Sequence, residues 1–160
     1  MDKEFASWAS FGAFVWYMKI HETTDLARVA LSPEQRRLYC RAAGRVLGFA
    51  LHDLLEPIYK IHPDLTPEVL RSNTDGSADS TTGPNPEGER KGRMSISDFR
   101  EEVLHLADAV EMNLRDMISL GRLRCAPEVR RDLEARIGEI MEQVSGWRAF
   151  VHTGIRGEGE

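Results

Sequence analysis

From Arg41 to Glu56 the chain reads RAAGRVLGFALHDLLE, and the spacing of its apolar residues allows little but a helix. At ~100° per residue, Arg41, Arg45, His52 and Glu56 fall on one narrow stripe, with Asp53 beside them. Tyr39, Ala43, Val46, Ala50, Leu54 and their apolar neighbours cover nearly everything else. A helix that is apolar on most faces belongs in a core. Ionisable groups carried into a core need partners, a metal or a shifted pKa. A buried polar stripe is therefore expected here, and with it the residues that carry function.

The rest of the chain repeats the helical period. Phe5, Trp8, Phe11, Gly12, Val15 and Met18 are spaced as the core stripe of a helix from Lys3 to His21. A second piece, Thr24 to Leu31, either continues it or follows a bend near His21. Ser32-Pro33-Glu34-Gln35 is a start signal, with serine as the cap, proline in the first turn and Gln35 reaching back. Pro57 is expected to end or kink the central helix, because it brings no N–H and its ring crowds the preceding turn. A short helix is expected from Thr66 to Leu70. Ser95 or Ser97 caps a helix running to about Leu120, with Gly121 as its C-cap. Ala126-Pro127-Glu128 opens a last long helix lined by Val129, Leu133, Ile137, Ile140 and Val144. No alternating strand pattern and no internal repeat is seen. The fold class is all-α, a single-domain bundle of about five helices over residues 1–155. Residues 72–93 are nearly devoid of apolar side chains and are expected to be a disordered internal loop, with 156–160 a loose tail.

Composition narrows the function classes. At 160 residues the chain can build one real core. A formal charge of -5 argues against a general phosphate-backbone binder, so nucleic acid is not the expected partner. The two cysteines, Cys40 and Cys125, stand singly, as reduced thiols do in a cytoplasmic protein. The aromatic run Phe5–Ile20 lacks the basic flank and cleavage site of an export signal and is short for a membrane span, so no membrane association is expected.

The imidazoles and carboxylates suggest metal chemistry. His52-Asp53 lies in an apolar helix, Glu56 stands one turn on, and His21 closes an earlier helix. Such ligands suit a divalent transition ion, which polarises a phosphoryl group and generates hydroxide near neutral pH. In its order H, HD, D the sequence resembles the HD-domain phosphohydrolases, an all-α superfamily. The matching residues are His21 in KIHETTDLARVAL, His52 and Asp53 in FALHDLLEP, and Asp108 in LHLADAVEMNLRD. The resemblance implies that His21, His52, Asp53 and Asp108 bind a divalent metal (Mn, Fe, Co or Zn). It also implies that Glu56 orients the attacking water. Arg45, or Arg41, would neutralise charge on a nucleotide-like phosphoester. The chain departs from the family where Pro57 replaces a second acid, where His105 replaces the lysine before LAD, and where Asn113 follows Asp108 by five residues instead of four.

A plainer account needs no metal. His52 satisfies a hydrogen bond at a helix end, Asp53 and Glu56 pair with Arg45 or Arg41, and His21 merely ends its helix. On its own helix Asp108 shares a face with Glu101, His105, Met112 and Arg115, the composition of a solvated face. The alternative function is then a non-catalytic helical interaction protein, such as a bacterial regulator or an immunity-type inhibitor. It would bind a cognate protein partner or a second copy of itself, with the aromatic first helix supplying the patch.

Overall fold

The structure is a computed structural model that describes residues 1–71 and 94–155. Its elements are α1 (Lys3–Ala30), α2 (Pro33–Phe49), a π-helical segment (Ala50–Leu55), α3 (Glu56–Ile61), a 3-10 turn (Pro63–Leu65), α4 (Glu68–Arg71), α5 (Ile96–Arg124) and α6 (Pro127–Gly154). The fold is an all-α single-domain bundle, as the periodicity predicts. Residues 72–93 and 156–160, expected as a loop and a tail, lie outside the described residues.

Local signals place the helix ends. Asp2 accepts from the Phe5 N–H at 2.8 Å and caps α1. Ser32 and Gln35 form the expected reciprocal capping box of α2. Ser95, not Ser97, caps α5 by accepting from the Asp98 N–H. Pro127 sits in the first turn of α6.

Four long helices close a ring in which α1 packs on α2 and α5, and α6 packs on α2 and α5. Neighbours are antiparallel: Phe5 lies against Gly121, Gly12 against Asn113, and Tyr39 against Trp147. Short turns join α1 to α2 and α5 to α6, while the diagonal passage from α2 to α5 uses the long connection. Tyr39 stands where all four meet. Its ring packs edge-on against Phe99 of α5 at 5.0 Å and tilts against Trp147 of α6 at 6.2 Å. Its hydroxyl lies 2.5 Å from Thr23 Oγ1 of α1. Thr23 already donates its one proton to the Ile20 carbonyl, so Tyr39 must be the donor between them.

Four expectations need correction. Of the two alternatives at Thr24 the continuation holds, so His21 does not close its helix: α1 is unbroken to Ala30, with Thr23 and Thr24 bonding back to carbonyls on their own helix. Gly121 is not a C-cap but an interior residue of α5, where an added Cβ would stand 3.0 Å from Leu133 Cδ2. It serves close approach. The ionisable stripe of α2 and the π-helical segment is not buried, since Arg41, Arg45 and His52 are exposed. A helix in a four-membered ring covers only its inner side, here Tyr39, Ala43, Val46, Ala50, Leu54 and Leu55.

The fourth correction concerns α1. Of the expected core stripe only Phe5 is buried. The residues that face the bundle are Ala6, Ala9, Ala13, Trp16 and Ile20. Small residues let α1 approach its neighbours closely. The large apolar residues Trp8, Phe11, Val15 and Met18 point outward instead.

Candidate functional site

The HD dipeptide lies in the π-helical segment, and Pro57 supplies a local reason for that segment. In an α-helix the N–H of residue 57 would bond to the carbonyl of Asp53, and the proline ring would crowd that carbonyl. The wider turn relieves the crowding: Glu56 donates to Leu51 O, five residues back. Arg136 of α6 then donates Nη1 to Asp53 O at 3.4 Å and lies 3.9 Å from Asp53 Oδ1. Its Nε is held by Asp132 at 2.8 Å. The chain therefore passes the proline and continues as α3 to Ile61, bent in pitch but not ended.

The two HD side chains, adjacent on a helix, do not share a face. His52 Nδ1 donates to Glu56 Oε1 at 2.8 Å on the solvent side, where Lys60 also approaches Glu56 at 4.0 Å. Asp53 is turned toward Arg136 on α6. Glu56 therefore pairs with His52 and Lys60, and Asp53 with Arg136; neither pairs with Arg41 or Arg45.

The other expected ligands stand elsewhere. His21 is exposed on α1. Asp108 of α5 is engaged by Arg148 of α6, which also holds Glu111 at 3.1 Å. It thus sits on the α6 flank of α5, whereas Asn113, which accepts from Trp16 Nε1, marks the α1 flank. His105 lies 3.6 Å from Glu101, as a solvated face would have it. The structure does not bring His21, His52, Asp53 and Asp108 together. Among the described residues no three His, Cys, Asp or Glu side chains are grouped to hold a metal ion. The donor set does not fit the ion that the resemblance implies, and no catalytic step through Glu56 or Arg45 follows from it. Arg45 lines a cleft between α2 and α6 with Arg41.

What sequence reasoning placed inside, the structure places outside. Trp8 is 39% exposed, Phe11 72%, Val15 43% and Met18 40%, all on one stripe of α1. Phe14 beside them stacks on Tyr17 at 6.5 Å. On one side the stripe meets α5, where Trp8 and Leu120 share a small cleft with Glu4 and Arg124. On the other, Phe11 and Phe14 line a depression with Tyr59, Leu65 and Pro67. Polar residues rim it: Glu4 with Arg124 at 3.2 Å, and Lys19 with Glu22 at 2.9 Å. Hydrogen bonding to Glu22 raises the Lys19 ammonium above its ordinary value, so Lys19 is charged throughout the physiological range. An apolar centre inside a charged rim is the anatomy of a protein–protein interface. The signal was legible as two apolar faces on one helix, but hydropathy alone does not say which one turns inward. No helix among the described residues is long and apolar enough to cross a membrane. Set against protein-family models, curated proteins and solved structures, the chain matches none of them, and its function must be read from its own geometry.

Proposed function

We propose that this chain is a non-catalytic helical interaction protein that receives a protein partner on the outward face of α1. The observation that carries the reading is the stripe Trp8, Phe11, Val15 and Met18, left in solvent beside a complete core. Scattered apolar residues on a surface need no explanation, but a contiguous set on one helix marks an interaction site. From Trp8 to Met18 the stripe spans ~15 Å of helix at ~1.5 Å per residue, about three turns of a docked partner helix. Trp8 and Phe11 provide the large anchors that dominate such contacts. The clefts at Leu120 and at Tyr59 give the partner side chains grooves to enter.

Nothing in this reading uses His52, Asp108 or a metal. The phosphohydrolase reading needs one cavity shared by His21, His52, Asp53 and Asp108. His52, Asp53 and Asp108 are each engaged in a separate ion pair and His21 is exposed on α1, which supports the interaction reading over it.

The test is to identify the protein that co-purifies with the tagged chain and titrate it with purified variants. Phe11→Ser and Val15→Ser should each weaken binding by about tenfold or more, while His52→Ala and added chelator leave it unchanged. Binding that survives Phe11→Ser, or that is lost with chelator, would overturn the reading.

A further inference from the structure

The molecule carries a second feature, independent of the α1 face. Between α2 and α6 lies a cleft of about 250 Å³, lined by Leu38, Arg41, Ala42 and Arg45 on one side and by Gln143, Gly146, Trp147 and Phe150 on the other. Its charged lining is two guanidiniums with no carboxylate among them. Like charges at i and i+4 on a helix repel by a few tenths of a kcal/mol. Neither arginine has a hydrogen bond or ion pair to another described residue. Arg37, one turn earlier and also exposed, extends the positive stripe. By contrast Arg115, Arg122, Arg124, Arg136 and Arg148 all lie against acids. In a chain with 26 acidic residues and 21 basic ones, an unbalanced arginine pair at a cleft calls for an outside anion.

The rest of the lining says what the anion is attached to. Phe150 offers aromatic surface, the buried Trp147 closes the cleft behind it with no more than an edge in the lining, and Leu38 and Ala42 offer aliphatic surface across the cleft. Gly146 leaves room: a Cβ built there would meet nothing within 4 Å. The volume is below the ~300–1,000 Å³ of drug-sized sites, which limits the apolar part to about one ring. Two guanidiniums about one helical turn apart match a dianion, and a phosphate monoester carries ~1.5 to 2 negative charges near pH 7.

We propose that the Arg41/Arg45 cleft binds a small aryl phosphate monoester, its phosphate held by the two guanidiniums and its ring against Phe150, with Leu38 and Ala42 opposite. The site binds without reaction; no bond to phosphorus is made or broken.

The probe is phenyl phosphate, titrated by calorimetry into the full chain, with inorganic phosphate and phenol as its two halves. Phenyl phosphate should bind at least about tenfold more tightly than inorganic phosphate, and phenol should show no heat. Arg41→Ala with Arg45→Ala should weaken phenyl phosphate by about tenfold or more. Arg41→Lys with Arg45→Lys should recover only part, since lysine keeps the charge but not the bidentate fork. Gly146→Leu, which fills open space and improves helix propensity, should bring phenyl phosphate down to the level of inorganic phosphate. Phe11→Ser should change nothing, which separates this site from the α1 face. Equal affinity for phenyl and inorganic phosphate, no binding of either, or binding indifferent to both arginine pairs and to Gly146→Leu would overturn the proposal.

Discussion

Arg136 of α6 donates, through Nη1, to the main-chain carbonyl of Asp53, the carbonyl that Pro57 cannot serve. One long side chain thus does for the central helix what a backbone N–H does elsewhere, and it ties the π-helical segment to α6. Removing it should cost about 1 kcal/mol in urea unfolding, the scale of one hydrogen bond. In a Pro57→Ala background, where residue 57 again has an N–H, the same Arg136→Ala change should cost about 0.5 kcal/mol less. Equal cost in both backgrounds would mean that Arg136 acts only through the Asp132 and Asp53 carboxylates.

Two glycines of similar sequence context should respond in opposite directions. Gly12 faces Asn113, whose Nδ2 would be 2.9 Å from an added Cβ, and Asn113 is the acceptor for Trp16 Nε1 at 3.2 Å. Gly12→Ala should push Asn113 aside and cost about 1–2 kcal/mol. Gly146 is exposed in mid-helix with open space, and Gly146→Ala should stabilise by about 0.5–1 kcal/mol. Thermal melts of the two variants check both signs.

Burial pushes the Tyr39 phenol well above its ordinary value, and burial likewise pushes Tyr59 up to about 12. The sign follows from linkage: beyond the unfolded value near 10 the native state keeps a proton that the unfolded chain gives up. Stability is therefore untouched by these groups below pH 10 and is lost as the pH rises from 10 through their folded values. Tyr39→Phe should cost about 1 kcal/mol at neutral pH by breaking the bond to Thr23. Above pH 10 its stability should fall less steeply than that of the parent chain, as followed by denaturant midpoints against pH. An unchanged alkaline slope would contradict the assignment to Tyr39.

Much of the bundle was legible in the sequence because its signals are local. The Ser32–Gln35 capping box, Pro127 in the first turn of α6 and the stripe Leu133, Ile137, Ile140 and Val144 all stand as read. What was not legible depends on neighbours distant in the chain. Trp8, Phe11, Val15 and Met18 satisfy the same helical period as a core stripe. The choice of Ala6, Ala9 and Ala13 for the inside is made by how closely α2 and α5 approach. Asp108 meets Arg148, forty positions on, and Asp53 meets Arg136, eighty-three positions on. Neither partner can be guessed from spacing. The HD dipeptide is real in sequence, yet neighbouring positions on a helix do not share a face, and its two side chains meet different partners.

Phe11 gives the sharpest stability contrast between the expected and observed faces of α1. As a surface residue its change to Ser should stay within about 0.5 kcal/mol of the parent. Ile20→Ala, on the buried face of the same helix, should cost about 2–5 kcal/mol. A large loss from Phe11→Ser in chemical denaturation would return that residue to the core.

The most direct measurement places a photo-activatable side chain at position 11 in living host cells, with position 139 on α6 as the control. The account predicts one and the same foreign protein cross-linked from position 11 and not from position 139, with the purified chain sedimenting as a monomer. Cross-links only to a second copy of the chain, or the same adducts from both positions, would contradict it.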